Sequence, residues 1–377
     1  MILRLEKCGY ECHVAATWID VYSEGYCFRC LPYTDREVEM ARKMMRANTL
    51  SREEYQKRFL TFEFLPSHQE TLKNAVLQNP AFLPSLRLVK YWFTAHMFTN
   101  SIPEALLDEL ILEVFTKQSP LHPVEAFLRF LYFLSTFPWS ETTLCVNINQ
   151  VLTPTKVQEM VKSVDTERQE ATQKWACCVV SPRDPQSILT RMIQPAVWSR
   201  LVATARITLK QALKTWWEDV DCHSLFTPSL HDFDMVLKLR DEYLNPIPKW
   251  IRLLGRKTNT RGAAYLCKEY KNVMMDRNKF LVGYRPERVI LEAVKEVIGN
   301  GGVVMMNTVW GKKIGIAWNP GYFLPGKMSM ASVSHCFPVQ KGTGNTKEDV
   351  MLVRDVFDLI QNLKESLGDV CEEIEFH

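Results

Sequence analysis

The sequence has no apolar run long enough to cross a bilayer. Its longest apolar-rich stretch, residues 126–137, is interrupted by Arg129 and Ser135, whereas a spanning helix needs about 20 consecutive apolar residues. No signal-like apolar segment opens the chain either, which favours reduced thiols in the cytosol or nucleus. The sequence therefore predicts a protein without a membrane partner.

Motifs that hold phosphates or small-molecule substrates are also missing. The chain has only 15 glycines, and they form no Gly-rich phosphate loop. Asn300-Gly301-Gly302 follows a predicted helix, whose C-terminus repels phosphate, and is interpreted as a turn. No histidine lies near a Ser or Cys in a recognised hydrolase motif. We expect no catalytic residue, no cofactor and no small-molecule substrate.

The 11 cysteines lack the regular spacing of disulfide-rich secreted domains. Cys8, Cys12, Cys27 and Cys30 resemble a zinc set, because two thiols precede a Cys-x-x-Cys pair. That pair lies on a predicted strand, however, where thiols three residues apart face opposite sides of the sheet. Buried apolar cysteines are therefore the favoured interpretation, and no metal is expected. The adjacent cysteines at 177–178 are predicted to lie in a core.

What the sequence does contain is the composition of an ordinary globular protein. Of its 377 residues, 46% are apolar and 24% are charged, with a net charge of +3. The length suggests two or three domains. Two strands are predicted first, from Cys12 to Val21 and from Tyr26 to Leu31, followed by a polar, helix-prone stretch at 34–62.

Apolar spacing and start signals place a helical region after these strands. Ser101 and Glu104 form a capping box, and Thr153 is expected to cap a helix that Pro154 opens. Helices are predicted at 86–98, after Ser101, from Val124 to about Phe137, after Thr153 and at 195–217. Short strands are predicted at 144–148 and 176–180.

A strand, a helix and a hairpin follow in the last part of the chain. Phe233–Leu239 alternates as a strand, and Val303–Asn307 with Lys313–Trp318 gives a hairpin signal. Pro286 opens a helix that ends at Gly299. Its predicted apolar stripe is Val289, Ile290, Ala293, Val294 and Val297. Residues 349–367 predict an acidic amphipathic helix. This order indicates an α/β sandwich, and the fold class is α+β.

Asp232 and Asp234 begin the predicted strand at i and i+2, so their carboxylates should share one face. Paired acids of this kind hold magnesium ions in nucleotidyltransferases. Those enzymes also need a glycine-serine helix start upstream, and Leu225–Leu230 contains no glycine. A structural role at the start of a strand is the favoured interpretation.

The segment from Lys238 to Arg288 concentrates the positive charge. It has thirteen Lys or Arg and five Asp or Glu, a net of +8, and its tyrosines and Trp250 are interleaved with them. Cations neutralise phosphates and aromatic rings stack on bases, which predicts an RNA surface. A solvated, loop-rich insertion remains the alternative. The predicted RNA-binding residues are Lys249, Arg252, Arg256, Lys257, Arg261, Lys268, Lys271, Arg277 and Lys279.

Five motifs resemble, in order, the nucleolar RNA-associated protein (Nrap, nucleolar protein 6) family. Ala126 to Leu152 resembles its FLRFL helix, which runs into a tryptophan and a short strand. Gly25–Arg29 resembles "GYAFR", and Leu86–Trp92 resembles "RLAKRW". Phe226–Val236 resembles "FRPPLSDYDVLI", and Lys313–Pro320 resembles "EVIGVLWKP". The chain is similar to only the C-terminal part of that family.

The resemblance implies a domain organisation. Family members look like two tandem modules, each with a nucleotidyltransferase-like head, a helical poly(A)-polymerase-like neck and an α/β body. Residues 1–75 would be the C-terminal remnant of a head, 76–218 a helical PAP/OAS1-like neck, and 219–377 the α/β sandwich body. Asp20 would stand where a head presents its third carboxylate.

The resemblance also implies a non-catalytic scaffold of the small-subunit processome in the nucleus and nucleolus. Its expected partners are pre-rRNA and other processome proteins during biogenesis of the small ribosomal subunit. The alternative is an active or regulatory fragment of a template-independent RNA nucleotidyltransferase. An upstream glycine-serine helix with two acids would support that alternative, and the sequence has none.

The opening strands are placed by the resemblance at the end of a split domain. Strands without upstream neighbours expose unpaired backbone edges. We therefore expect residues 76–377 to fold as a stable unit, and residues 1 to about 45 to be poorly ordered or to drive aggregation.

Overall fold

The structure is a computed structural model. It describes residues 5–244 and 286–377, except 6, 15–17, 24–25, 32–34, 48, 50, 149–150, 172–173, 192, 216–220, 242, 310, 326–335 and 341–349. Contacts within the chain divide it into two units. One consists of Met1–Glu63 and Asp241–Pro286, the other of Phe64–Arg240 and Glu287–His377.

The first unit contains a three-stranded antiparallel sheet of order β1-β2-β3, followed by two helices. Its elements are β1 (Glu11–Val14), β2 (Ile19–Ser23), β3 (Tyr26–Cys30), α1 (Asp35–Arg46) and α2 (Arg52–Phe59). The prediction of one strand from Cys12 to Val21 is wrong, because Val14 pairs with Ile19 and the chain reverses between them. The intervening sequence contains Ala15 and Ala16, which are weak strand formers.

The helical part of the second unit contains the five predicted helices, with shifted ends, and two that were not predicted as separate helices, at 65–78 and 188–191. They are α3 (Leu65–Gln78), α4 (Phe82–Ala95), α5 (Glu104–Gln118), α6 (Pro123–Thr136), α7 (Pro154–Glu170), α8 (Ile188–Arg191) and α9 (Pro195–Thr215). The two short strands predicted here shrink to a parallel bridge of two residues each, β4 (Leu144–Cys145) and β5 (Val179–Val180).

Helix α5 is buried on every side, since each residue from Ala105 to Phe115 is buried. The predicted capping box is wrong, because Pro103 is the N-cap residue and no side chain caps the helix. The extended backbone of Pro103 makes Glu104 the first helical residue, so Ser101 lies outside the capping position. Thr153 does precede α7, but its hydroxyl lies 3.1 Å from that of Thr155 and caps no backbone N–H.

The last part of the second unit is an antiparallel sheet of order β11-β6-β8-β7 with two longer helices and a separate two-stranded sheet. Its elements are β6 (Met235–Leu239), α10 (Pro286–Ile298), β7 (Gly302–Met306), β8 (Lys313–Trp318), β9 (Cys336–Gln340), β10 (Val350–Arg354), α11 (Val356–Leu367) and β11 (Cys371–Phe376). The predicted hairpin is confirmed, with Val304 opposite Ile316. The mixed α and β content agrees with the predicted class.

Two predictions in this part need correction. Residues 349–367 are not one helix, because β10 precedes Asp355, whose side chain accepts the backbone N–H of Phe357 and caps α11. Helix α10 is present, but its buried face is Leu291, Val294 and Ile298, while Val289 is exposed. Apolar residues surround much of α10, so spacing alone leaves the buried face ambiguous.

One hydrophobic core joins the helices and the sheet of the second unit. Phe233, Val236 and Met305 belong to the same buried cluster as Trp92, Phe127 and other helical residues. A smaller cluster around Val164 lies beside the β4–β5 bridge. Among the described helices, none combines the length and apolar character that bilayer spanning requires.

Candidate functional site

The nine predicted RNA-binding residues, Lys249 to Lys279, lie outside the described residues. Only the flanks of the basic segment are described. On β6, the Nζ of Lys238 lies 3.2 Å from Glu372 and 3.9 Å from Glu373. A hydrogen bond to Glu372 raises the pKa of this lysine. Lys238 therefore balances acids of the neighbouring strand β11.

Asp20 on β2 is the position where the resemblance places a head carboxylate. Its side chain is fully buried and accepts a bidentate pair from Arg29 on β3, at 2.8 and 2.9 Å. The indole Nε1 of Trp18 donates to the same carboxylate at 3.2 Å. Both oxygens of Asp20 are therefore engaged by protein donors.

The Arg29 guanidinium is itself held in place, because it lies 4.4 Å from the centre of the Trp18 ring. Arg29 and Asp20 are also directly opposite each other in the antiparallel ladder. Bidentate guanidinium–carboxylate pairs are strong and geometrically specific. A divalent cation could use Asp20 only by displacing this pair.

Asp232 and Asp234 do not form the paired face that the sequence predicts. Strand β6 begins at Met235, so both acids precede it. The Asp234 carboxylate accepts the backbone N–H of Trp318 at 2.7 Å. Asp232 is half exposed, with one oxygen 3.6 Å from Arg200 of α9. Each acid binds a different neighbour, which supports the structural interpretation.

Arg200 links helix α9 to the start of the sheet. Its guanidinium lies 4.0 Å from the centre of the Phe233 ring and donates to the Ser229 carbonyl at 3.1 Å. Burial lowers its pKa, and Asp232 acts in the opposite direction. The cation thus fixes the loop that leads into β6.

A buried charged cluster in the helical part was not predicted. His68 on α3 is fully buried, with Nε2 3.2 Å from Asp108 Oδ2 and Nδ1 3.4 Å from Glu109 Oε1. Burial lowers the pKa of His68, but the hydrogen bonds to the two acids outweigh it, and the pKa is raised above its ordinary value. The two carboxylates therefore stabilise the protonated form of this imidazole relative to an imidazole in water.

Two further cations complete this buried cluster. Lys90 Nζ lies 2.8 Å from Asp108. Arg183 donates to Glu109 at 2.7 Å and to Thr71 Oγ1 at 2.7 Å. Four elements distant in sequence supply these residues, so no local motif could reveal them. The one available signal was the occurrence of acids within the apolar pattern of α5.

Several cysteine predictions can be compared with the structure. Cys8 is exposed, and Cys12 and Cys30 are partly exposed, so the prediction that they are buried is wrong. These residues lie at or near the ends and edge of a small sheet, which covers them incompletely. The adjacent pair at 177–178 is buried, as predicted. Within the described part of the chain, no cluster of His, Cys, Asp or Glu has a metal-holding arrangement.

Comparison with protein families decides the classification. Residues 79–228 match the model described as Nrap protein PAP/OAS1-like domain 5, and residues 230–374 match Nrap protein domain 6. The chain belongs to the Nrap family. The family predicted from the five motifs is thereby confirmed, and the boundary between Nrap domains 5 and 6 falls in the loop that Arg200 fixes.

Individual Nrap relatives have low sequence identity to this chain, but their alignments cover most of it. Nucleolar protein 6 of Xenopus tropicalis is 26% identical over 83% of this chain and 28% of its own length. That of Homo sapiens is 24% identical over 90% and 30%. U3 small nucleolar RNA-associated protein 22 of Schizosaccharomyces pombe is 23% identical over 74% and 24%. The chain spans less than a third of these curated relatives, whose names agree with the predicted nucleolar location.

Proposed function

We propose that this chain is a non-catalytic scaffold segment that binds pre-rRNA and assembly proteins of the small-subunit processome in the nucleolus. The observation that carries the proposal is membership of the Nrap family in two consecutive domains. Relatives are named for association with the U3 small nucleolar RNA. Residues 1–75 would be a head remnant, 76–218 the PAP/OAS1-like neck and 219–377 the α/β body.

The state of the acids supports a binding role over catalysis. Phosphoryl transfer by a nucleotidyltransferase needs carboxylates that hold metal ions, together with a phosphate cradle. Asp20 has both oxygens in a pair with Arg29, and Asp234 accepts a backbone N–H of β8. These contacts disfavour the nucleotidyltransferase alternative for this chain.

Crosslinking to RNA in cells tests the proposal. The tagged chain should recover pre-rRNA after ultraviolet crosslinking, and Arg256→Ala, Lys257→Ala and Arg261→Ala together should weaken that recovery. Lys73→Ala, Lys156→Ala and Lys162→Ala form a matched control, because these lysines are exposed on α3 and α7. The control should crosslink like the unmodified chain.

Two outcomes would count against the proposal. Recovery of no pre-rRNA above background by the unmodified chain would remove the binding role. Incorporation of labelled nucleotide into an RNA primer with magnesium or manganese, lost on Asp20→Asn, would restore the nucleotidyltransferase alternative. Equal crosslinking by the Arg256 triple variant and its control would instead show that the basic segment is a solvated insertion.

A further inference from the structure

Helix α9 carries the largest net positive charge of the described helices. Its 21 residues contain Arg200, Arg206, Lys210 and Lys214 but no Asp or Glu. One side of the helix packs into the core through Val197, Trp198, Leu201 and Ala205, which are buried. The opposite side, around Arg206 and Lys210, is exposed to solvent.

Three exposed cations on other helices form ion pairs with an acid one turn away. On α1, α5 and α6, Lys43 pairs with Glu39, Lys117 with Glu113 and Arg129 with Glu125. Such i,i+4 pairs reduce the local positive potential of a helix face. Helix α9, by contrast, contains no acid that could form such a pair.

Arg200 is the one cation of α9 that has an acid within ion-pair distance in the described structure. Arg200 is directed to Asp232 and the loop before β6. Among the described residues, no carboxylate lies within ion-pair distance of Arg206, Lys210 or Lys214. Because Glu218 follows Lys214 in sequence, outside the described residues, the centre of this surface is placed at Arg206 and Lys210.

An exposed aromatic residue of α6 lies one helical turn from the residue that Arg206 contacts. The Arg206 guanidinium donates to the carbonyl of Ser135 on α6 at 3.2 Å, which fixes it beside that helix. Tyr132 lies one turn before Ser135 and has 61% of its surface exposed. Ile207, beside Arg206, is also largely exposed. The α9 face is defined here as Tyr132, Arg206, Ile207 and Lys210.

We propose that the α9 face binds single-stranded RNA, with phosphates on Arg206 and Lys210 and a base stacked on Tyr132. Unpaired cations attract the phosphate backbone, and an exposed aromatic ring offers a stacking platform for any base. This inference rests on the proposed RNA-binding function and adds a site in the helical domain, separate in sequence from the basic segment. An acidic protein surface is the competing partner that the test must distinguish.

Direct binding to the purified chain tests the site. A fluorescent single-stranded oligouridylate is titrated at several salt concentrations, and Arg206→Ala with Lys210→Ala should weaken its affinity roughly tenfold. The slope of log affinity against log salt should fall by about 1.4, since each lost phosphate contact accounts for about 0.7 on a single strand. Tyr132→Ala should weaken binding about fivefold or more with the slope unchanged, whereas Tyr132→Phe should retain binding.

Lys156→Ala with Lys162→Ala is the matched control, because it also removes two exposed cations from one helix, α7. Circular dichroism melts verify that every variant is folded. If the alanine variant is not folded, Lys210→Arg gives a variant at the same position that preserves the charge. The control variant and Lys210→Arg should bind as the unmodified chain does.

An unchanged affinity and slope for the folded double variant would overturn the proposal. A second result would also overturn it. If a poly-glutamate peptide bound in a manner that depended on Arg206 and Lys210, and oligouridylate binding did not depend on them, the face would be assigned to an acidic protein. These results are separable from failure of the proposed function. If the unmodified chain recovered no pre-rRNA from cells, that function would be refuted even if the purified chain bound the oligouridylate at the α9 face.

Discussion

At the scale of single residues, buried acids are matched by cations or backbone donors from other elements. Asp20 is paired with Arg29 and Glu109 with Arg183. The carboxylate of Asp184 accepts the backbone N–H groups of Ile188 and Leu189 at the start of α8. Burial nevertheless raises the pKa of Asp184 to about 6. Removing one partner of such a pair leaves an uncompensated buried charge, which is strongly destabilising.

The raised pKa of His68 predicts a pH-dependent stability. A histidine whose folded pKa exceeds its unfolded value of about 6.5 binds its proton more tightly in the native state. Its contribution is therefore complete below about pH 6.5 and is lost as pH rises through the folded pKa. The free energy of unfolding of the unmodified chain should exceed that of His68→Gln most at low pH, with the difference shrinking at alkaline pH.

Urea denaturation between about pH 5.5 and 9 measures this difference. His223→Gln serves as the control, because it changes an exposed imidazole and leaves the buried cluster intact. A difference between the unmodified chain and His68→Gln that stays constant over the whole pH range would show that folding does not raise the pKa of His68, and a difference that grows with pH would show that folding lowers it.

At the scale of secondary-structure elements, the sheet depends on close packing of a strand against an aromatic ring. Gly315 is in the middle of β8, and a Cβ there would lie 2.5 Å from atoms of the Phe233 ring. That ring also receives the guanidinium of Arg200. The absence of a side chain at Gly315 therefore leaves the space that the Phe233 ring occupies, where Arg200 of domain 5 contacts it.

Gly315→Ala should destabilise the second unit by about 1–3 kcal/mol, the usual cost of inserting a methyl group into a packed core. Chemical denaturation followed by tryptophan fluorescence measures the loss. Gly321→Ala is the matched control, since its Cβ would make an ordinary 3.4 Å contact with Asn319. Equal stability of the two variants would mean that Phe233 can move without cost.

Elements with one distinct signal could be predicted from the sequence, whereas those set by tertiary contacts could not. The β7–β8 hairpin and α6 follow from turn residues, proline and apolar spacing. The predicted start of α5 was wrong because Pro103, and not Ser101, is the N-cap residue. The prediction for residues 349–367 was wrong because Asp355, which caps α11, was included within one long helix.

The candidate sites were only partly predictable for a related reason. Charge counting found the basic segment, because its cations are contiguous in sequence. The α9 face joins residues from two helices, and its cations are separated by apolar residues that belong to the core. The His68 cluster unites residues of α3, α4, α5 and the loop at Arg183, so only the folded chain brings them together.

At the scale of the whole molecule, Nrap domains 5 and 6 share a hydrophobic core within the second unit. Phe233 belongs to that core. Lys295 on α10, in domain 6, donates to the backbone carbonyl of Asn100, in domain 5, at 3.2 Å. Two sequence domains with a continuous core should unfold together rather than separately.

Phe233→Ala tests this cooperativity, with an expected loss of about 3–5 kcal/mol. Amide hydrogen exchange should show a similar loss of protection in α4, α9 and β8, because one global opening exposes them all. Val164→Ala, in the smaller cluster with Cys178 and Val180, should affect its neighbourhood more than β8. Loss of protection confined to the sheet in Phe233→Ala would show that the domains open independently.

The order of strands in the sheet also has a consequence for synthesis of the chain. Strand β6 pairs on one side with β11, so that edge of residues 235–239 cannot pair until residues 371–376 have been synthesised. Translation proceeds at about 5–20 residues per second, which leaves that edge of β6 open for on the order of ten seconds. An open edge can recruit other chains. Nascent-chain quality control would therefore act on this domain chiefly in that interval, when the helices have emerged but the sheet still lacks its last strand.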